Sequence, residues 1–189
     1  TWDRALAARL AQALAEECRA ASLDILLGPG ANIKRSPLCG RNFEYLSEDP
    51  YLASELASAY VRALQQGGVS ACLKHFALNN QEFCRMTVDV RVGQRPLHEI
   101  YLKAFEKTVR EAHPDTVMSA YNRVNGEQMA ESSLLRDVLR GAWGFDGVII
   151  SDWGSVSQRD GGVAVGMDLE MPDSHGKFDG DVYAALEDG

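Results

Sequence analysis

The amino-acid sequence predicts an α/β fold: a TIM-type (β/α)8 barrel, or a portion of one, with parallel strands joined by crossover helices. Three observations predict it. Helical and strand patterns alternate along the chain, as they do when parallel strands are linked by helices. The strands are short and apolar without polar alternation, as expected when helices cover the sheet. Polar side chains collect where the strands end, at Lys74-His75, Ser119 to Tyr121 and Ser151-Asp152. Both a barrel and a doubly wound sheet place their sites at that end of the strands.

Each element has its own signal. Residues 3–20 place Leu6, Leu10, Leu14 and Cys18 at intervals of four, which predicts a helix with that stripe inward. Residues 23–27 read as a buried strand stopped by Gly28-Pro29-Gly30. A polar loop leads to a helix over 51–66, with Leu52, Leu56, Tyr60 and Leu64 on one face and Gly67-Gly68 ending it. A strand over 69–73 leads into Lys74-His75-Phe76, and a long polar loop runs from there to about Gln94. A helix over 97–110 turns Tyr101, Phe105 and Val109 inward, and 116–120 is a strand. A helix over 134–143 is capped by Ser132 or Ser133. Residues 147–151 form a strand, and a short one lies within 163–171 around Asp168 to Glu170. Gly28-Pro29-Gly30-Ala31-Asn32 has a proline inside its turn and no helix after it, so it is not a dinucleotide-phosphate turn. About five strands are legible, whereas a complete barrel takes about 250 residues. The chain is therefore expected to be a single domain over 1–189 that forms a portion of a barrel.

Composition narrows the function. The chain has 189 residues, 46% of them hydrophobic and 24% charged, the balance of a globular chain with a sizeable core. Its 19 Lys and Arg against 27 Asp and Glu leave a net charge of −8, which argues against a nucleic-acid or anionic-membrane partner. No apolar run approaches the ~20 residues of a membrane helix. Cys18, Cys39, Cys72 and Cys84 show no C-x-x-C pairing, so neither a disulfide scaffold nor a structural zinc site is expected. Unpaired thiols lean towards a reducing, cytoplasmic compartment.

The residues at the strand ends admit more than one reading. Asp152, beside Trp153, is either a nucleophile or base acting on a sugar ring stacked on the indole, or a turn cap. Lys74 and His75 can bind hydroxyls, a phosphate or a carboxylate; alternatively Lys74 is a Schiff-base lysine and His75 a satisfied core histidine. Arg41 and Arg85 lie in polar loops, as ligand-binding or merely solvated cations. Tyr121 is a site residue or a rim aromatic. His98, His113 and His175 stand at no metal spacing.

Taken together, these residues resemble one family. The segments LGPGANIKRSPLCGRNFEYLSEDP (27–50), KHFALNNQE (74–82), MSAYNRVNG (118–126), GFDGVIISDWG (144–154) and GMDLEMP (166–172) are similar, in order, to those of glycoside hydrolase family 3, the β-glucosidase-like enzymes. The resemblance implies that Asp152 is the catalytic nucleophile and that Arg41, Lys74, His75, Arg85 and Tyr121 line the −1 sugar subsite. Trp153 would form an apolar wall, and Glu44 would partner Arg41. After KHF the chain continues Ala77-Leu78-Asn79-Asn80, unlike the P-G-H-G of the N-acetylhexosaminidase branch. It has Trp153 where the β-xylosidase branch tends to have Cys.

The resemblance thus implies a retaining glycosidase that removes β-linked glucosyl residues, with a β-glucoside or oligosaccharide as substrate. It implies no metal or organic cofactor, since two carboxylates suffice. The alternatives are an exo-β-glucanase, arabinosidase or xylosidase specificity, or a non-catalytic sugar-binding fragment. The family's D-G-P-type loop, and the second α/β domain that supplies its acid/base Glu, have no counterpart in these residues. The expectation is a nucleophile half-site without its acid, poorly active alone, with exposed barrel edges that invite self-association.

Overall fold

A computed structural model describes residues 2–188. Four parallel strands form the main sheet: β1 (Ile25–Leu26), β2 (Ser70–Phe76), β4 (Thr116–Ser119) and β7 (Val148–Ile150). They lie in chain order, with Ile25 beside Ser70, Cys72 beside Thr116 and Thr116 beside Val148. A single parallel bridge from Ile150 to Leu169 adds a fifth position. This is an arc of a (β/α)8 barrel.

Helices α1 (Arg4–Ala20), α2 (Pro50–Gln66), α3 (Gln94–Pro96) and α4 (Lys103–Ala112) flank the first three strands. A π-helical turn, Leu97–Tyr101, links α3 to α4, and a longer π-helix, Leu134–Ala142, precedes β7. Two further helices, α5 (Arg159–Ala164) and α6 (Asp179–Asp188), follow β7. Among the described residues no helix is long and apolar enough to cross a membrane.

The period of two along a strand explains how the sheet serves both core and site. Leu73, Val117 and Ile149 turn to the helices, where they join Phe105, Val109, Leu135, Leu139 and Trp143. Cys72, Met118 and Ile150 turn the other way and form their own small cluster. Two residues further on, that second face carries Lys74 and Asp152.

Several elements differ from the sequence reading. On α1 the buried stripe is Ala7, Ala11, Ala15 and Cys18, while Leu6 and Leu10 are exposed. Alanines win because α1 lies close against the end of α2: a Cβ on Gly67 would meet that of Ala15 at 2.5 Å. The leucines instead line a cavity of about 690 Å³ with Leu26, Leu27 and Tyr60. Strand β1 is only two residues long, and Ile25 is exposed rather than buried, because it forms the open edge of the sheet.

Strand β2 runs further than expected, through Lys74-His75-Phe76, with a register shift between Leu73 and Phe76. Gly30 and Ala31 continue the pairing alongside Lys74. The helix starting at Leu134 is capped by Ser132, whose Oγ accepts from Leu134 N at 3.2 Å. Within 163–171 there is the tail of α5 and one bridge, not a strand. Gly166, at φ +87°, turns the chain out of α5.

The polar loops after β2 and β4 hide a second, small sheet: β3 (Asp89–Val90) from the first, β5 (Arg123–Val124) and β6 (Glu127–Gln128) from the second. Asn125-Gly126, both at positive φ, makes the tight turn between β5 and β6.

Candidate active site

The site is built where β2, β4 and β7 end. Asp152 follows β7 and is 6% exposed. Its Oδ1 accepts from the Trp153 backbone N–H at 2.8 Å, while its Oδ2 is buried with no hydrogen-bond partner. The nearest cationic-type group to that bare oxygen is His75 Nε2, at 3.8 Å. His75 is 1% exposed. Its backbone is clamped by Asn32, which accepts from His75 N at 2.8 Å and donates to His75 O at 2.9 Å.

The cations are arranged around carboxylates. Glu44 binds Arg41 Nε through Oε1 and Lys74 Nζ through Oε2 at 3.1 Å, all three side chains being largely buried. Arg85 is held by Glu82 at 2.9 Å and lies over the Tyr121 ring, 4.5 Å from its centroid. Such an arrangement fixes a guanidinium over a ring face.

Burial dominates the electrostatics. It pushes the Asp152 carboxyl above the usual range, against the Trp153 N–H, the Tyr121 hydroxyl and the charges of Arg41 and Arg85, which pull it down. It holds His75 down to about 2, with Arg41, Lys74 and Arg85 acting in the same direction. The imidazole is therefore neutral. Lys74 is bound to Glu44, so the cations that favour the charged form of Asp152 are Arg41 and Arg85.

The raised Asp152 value has a consequence for stability. A carboxyl whose folded pKa lies above its unfolded value, near 3.9, destabilises the fold once it ionises. Its contribution is intact below about pH 4 and is lost as pH rises through the folded value. Asp152→Asn is expected to melt above the parent at pH 7, with the difference closing at pH 3. Thermal melts at the two pH values check this, and a variant that melts lower at pH 7 would contradict it.

Sequence reasoning named Asp152, Arg41, Lys74, His75, Arg85 and Tyr121, and the fold brings all six into one cluster. Trp153 joins it through its backbone N–H, with its residue surface 41% exposed. Glu44 takes the place expected beside Arg41 and holds Lys74 as well. Glu82, Tyr45, Asn79 and Asn32 were not singled out. Their signal was membership in the polar loops after β1 and β2, within the segments 27–50 and 74–82 that carry the family resemblance.

A buried carboxylate ringed by cations and a tyrosine at the C-terminal ends of parallel strands defines an enzyme domain of the (β/α)-barrel class. Residues 1–164 match the glycosyl hydrolase family 3 N terminal domain. The chain is 56% identical over its whole length to thermostable beta-glucosidase B of Acetivibrio thermocellus, covering 25% of that protein. It is 48% identical to an exo-alpha-(1->6)-L-arabinopyranosidase of Bifidobacterium longum, again covering 25%. In structure it resembles beta-glucosidase 3B of Thermotoga neapolitana in complex with glycerol, with a TM-score of 0.94, 44% identity, all of this chain and 28% of that one. The chain belongs to glycosyl hydrolase family 3. It spans about a quarter of the length of the curated relatives it matches.

Proposed function

We propose that the protein is a retaining β-glucosidase whose nucleophile is Asp152. The observation that carries this reading is the bare, buried Oδ2 of Asp152, set among His75, Arg41, Arg85 and Tyr121. In this mechanism Oδ2 attacks the anomeric carbon as the glycosidic C–O bond breaks, leaving a glycosyl ester. A second carboxyl group, about 5 Å away in retaining enzymes, gives its proton to the leaving oxygen and then takes one from the incoming water. Glu44 and Glu82 are each bound to cations and make poor proton donors; the family resemblance assigns the acid/base role to a Glu of a second α/β domain. Lys74, His75 and Arg41 bind sugar hydroxyls, and Trp153 stands at the mouth as an apolar wall. A 2-fluoro-β-glucoside inactivator tests the reading by intact mass and peptide mapping. A single adduct on Asp152 is expected, and an adduct on another carboxylate would overturn it.

The second reading is an L-arabinopyranosidase, favoured by the relative at 48% identity that carries that name. Relative kcat/KM on nitrophenyl β-glucoside and α-L-arabinopyranoside separates the two.

In the same reading Glu44 positions two sugar-binding cations at once. Glu44→Gln leaves Arg41 and Lys74 buried and uncompensated. It is expected to raise KM roughly tenfold, with a smaller change in kcat, as an interaction spent on binding does. Steady-state kinetics check this, and an unchanged KM would remove Glu44 from the site.

The open edge of β1 supports association through an added strand, from a second copy or another segment. The four free thiols support a reducing compartment.

A further inference from the structure

Behind His75 lies a row of buried polar groups that binding of substrate does not explain. Tyr45 Oη is 3.2 Å from His75 Nδ1, and Asn79 Nδ2 donates to Tyr45 Oη at 3.0 Å. The same Asn79 amide donates to Glu82 Oε1 at 3.2 Å. Tyr45 is 3% exposed and Asn79 1%.

We propose that Glu82, Asn79 and Tyr45 form a directional hydrogen-bond chain that fixes His75 as the Nε2–H tautomer, aiming that N–H at Asp152 and at the sugar hydroxyl beside it. The sugar part of this rests on the function proposed above.

The direction follows from counting donors and acceptors. Glu82 is a carboxylate ion-paired to Arg85 and only accepts, so the Asn79 group facing it must be the amide NH₂. Flipping that amide would set its oxygen against a carboxylate oxygen. Asn79 Oδ1 is left buried without a partner, a cost the amide bears to keep both N–H groups engaged. Tyr45 Oη therefore accepts from Asn79. Its own proton then needs an acceptor, and His75 Nδ1 is the neighbour that can take it. Were Nδ1 protonated, two N–H groups would point at the Tyr45 oxygen and the phenol proton would be buried without a partner. Bare Nε2 would also face the bare Oδ2 of Asp152, lone pair against lone pair. Both conflicts vanish when the proton sits on Nε2. The Asn32 clamp holds the backbone, so ring orientation and tautomer are the freedoms that remain, and Tyr45 removes them. Tyr45 and Asn79 are positioning residues, since they act through His75.

The test is ¹⁵N NMR of the protein at its full natural length, with labelled histidine, alongside steady-state kinetics. The parent is expected to show Nε2 of His75 protonated and Nδ1 bare but hydrogen-bonded. Tyr45→Phe keeps the ring and removes the donor. It is expected to shift the Nδ1 resonance or mix the tautomers, and to lower kcat/KM by about five- to tenfold, the loss of roughly one hydrogen bond. An Nδ1-protonated parent overturns the proposal, and so does a Tyr45→Phe variant with both tautomer and kcat/KM unchanged. If that variant does not fold, the parent spectrum alone decides between the tautomers. A 2-fluoro-glucoside adduct away from Asp152 would sink the nucleophile reading while leaving the tautomer result intact.

Discussion

Asp152→Ala is expected to lower kcat by at least about 10⁴-fold, the scale on which covalent nucleophiles act, and to abolish the 2-fluoro-glucosyl adduct. The reason lies in the surroundings of the carboxylate. Arg41, Arg85, Tyr121 and the Trp153 N–H are already oriented towards it, so no other group nearby can replace it as the attacking atom. Glu44 is held by two cations and turned to them. Binding should survive better than turnover, because Arg41, Lys74 and His75 remain in place. Pre-steady-state measurement of the glycosylation step, with sugar binding by calorimetry, checks both halves. A variant that retains more than about a hundredth of the parental kcat would sink the nucleophile assignment.

Phe76→Ala is expected to cost about 3–5 kcal/mol of stability, the range for emptying a buried aromatic site. Phe76 is fully buried at the end of β2. Its ring stands edge-on to Phe105 at 5.5 Å and to Trp143 at 5.8 Å, and such pairs add to the area they bury. It thus ties β2 to both the α4 helix and the π-helix before β7. Lys74 and His75 precede it on the same strand, so the cavity should loosen the site together with the core. Phe76→Leu fills most of that volume and should lose less. Urea denaturation of the two variants checks the ranking. A loss below about 1 kcal/mol for the alanine variant would show that the aromatic cluster does not anchor this strand.

Much of the fold was legible because the core strands obey local rules. The apolar runs before Lys74, Ser119 and Ser151 became β2, β4 and β7, and Gly67-Gly68 ended α2. The errors have physical causes. Leu6 and Leu10 were read as inward with Leu14 because leucine buries more area than alanine; of the three only Leu14 packs against the core. Close helix packing instead rewards the small stripe of Ala7, Ala11 and Ala15. The sheet of β3, β5 and β6 was missed because two-residue strands carry no period. It is held in part by Asn125, whose side chain accepts from Val92 N and donates to Val92 O, a contact 33 residues apart in the chain. The candidate site was legible as residue types at strand ends. Its second layer was not, since Tyr45, Asn79 and Glu82 are ordinary loop residues until β2 brings His75 beneath them.

The sequence by itself determined the alternation of helix and strand, the parallel sheet, the family, and the six polar residues that gather at its C-terminal end. These follow from local periodicity and from motifs contiguous in the chain. Only the tertiary structure decided that Glu44 joins Arg41 to Lys74, that Arg85 stacks on Tyr121, and that one oxygen of Asp152 stays bare before a neutral His75. Those relations join side chains from separate loops. Hydrogen-bond direction and burial exist only once the strands have set those loops side by side.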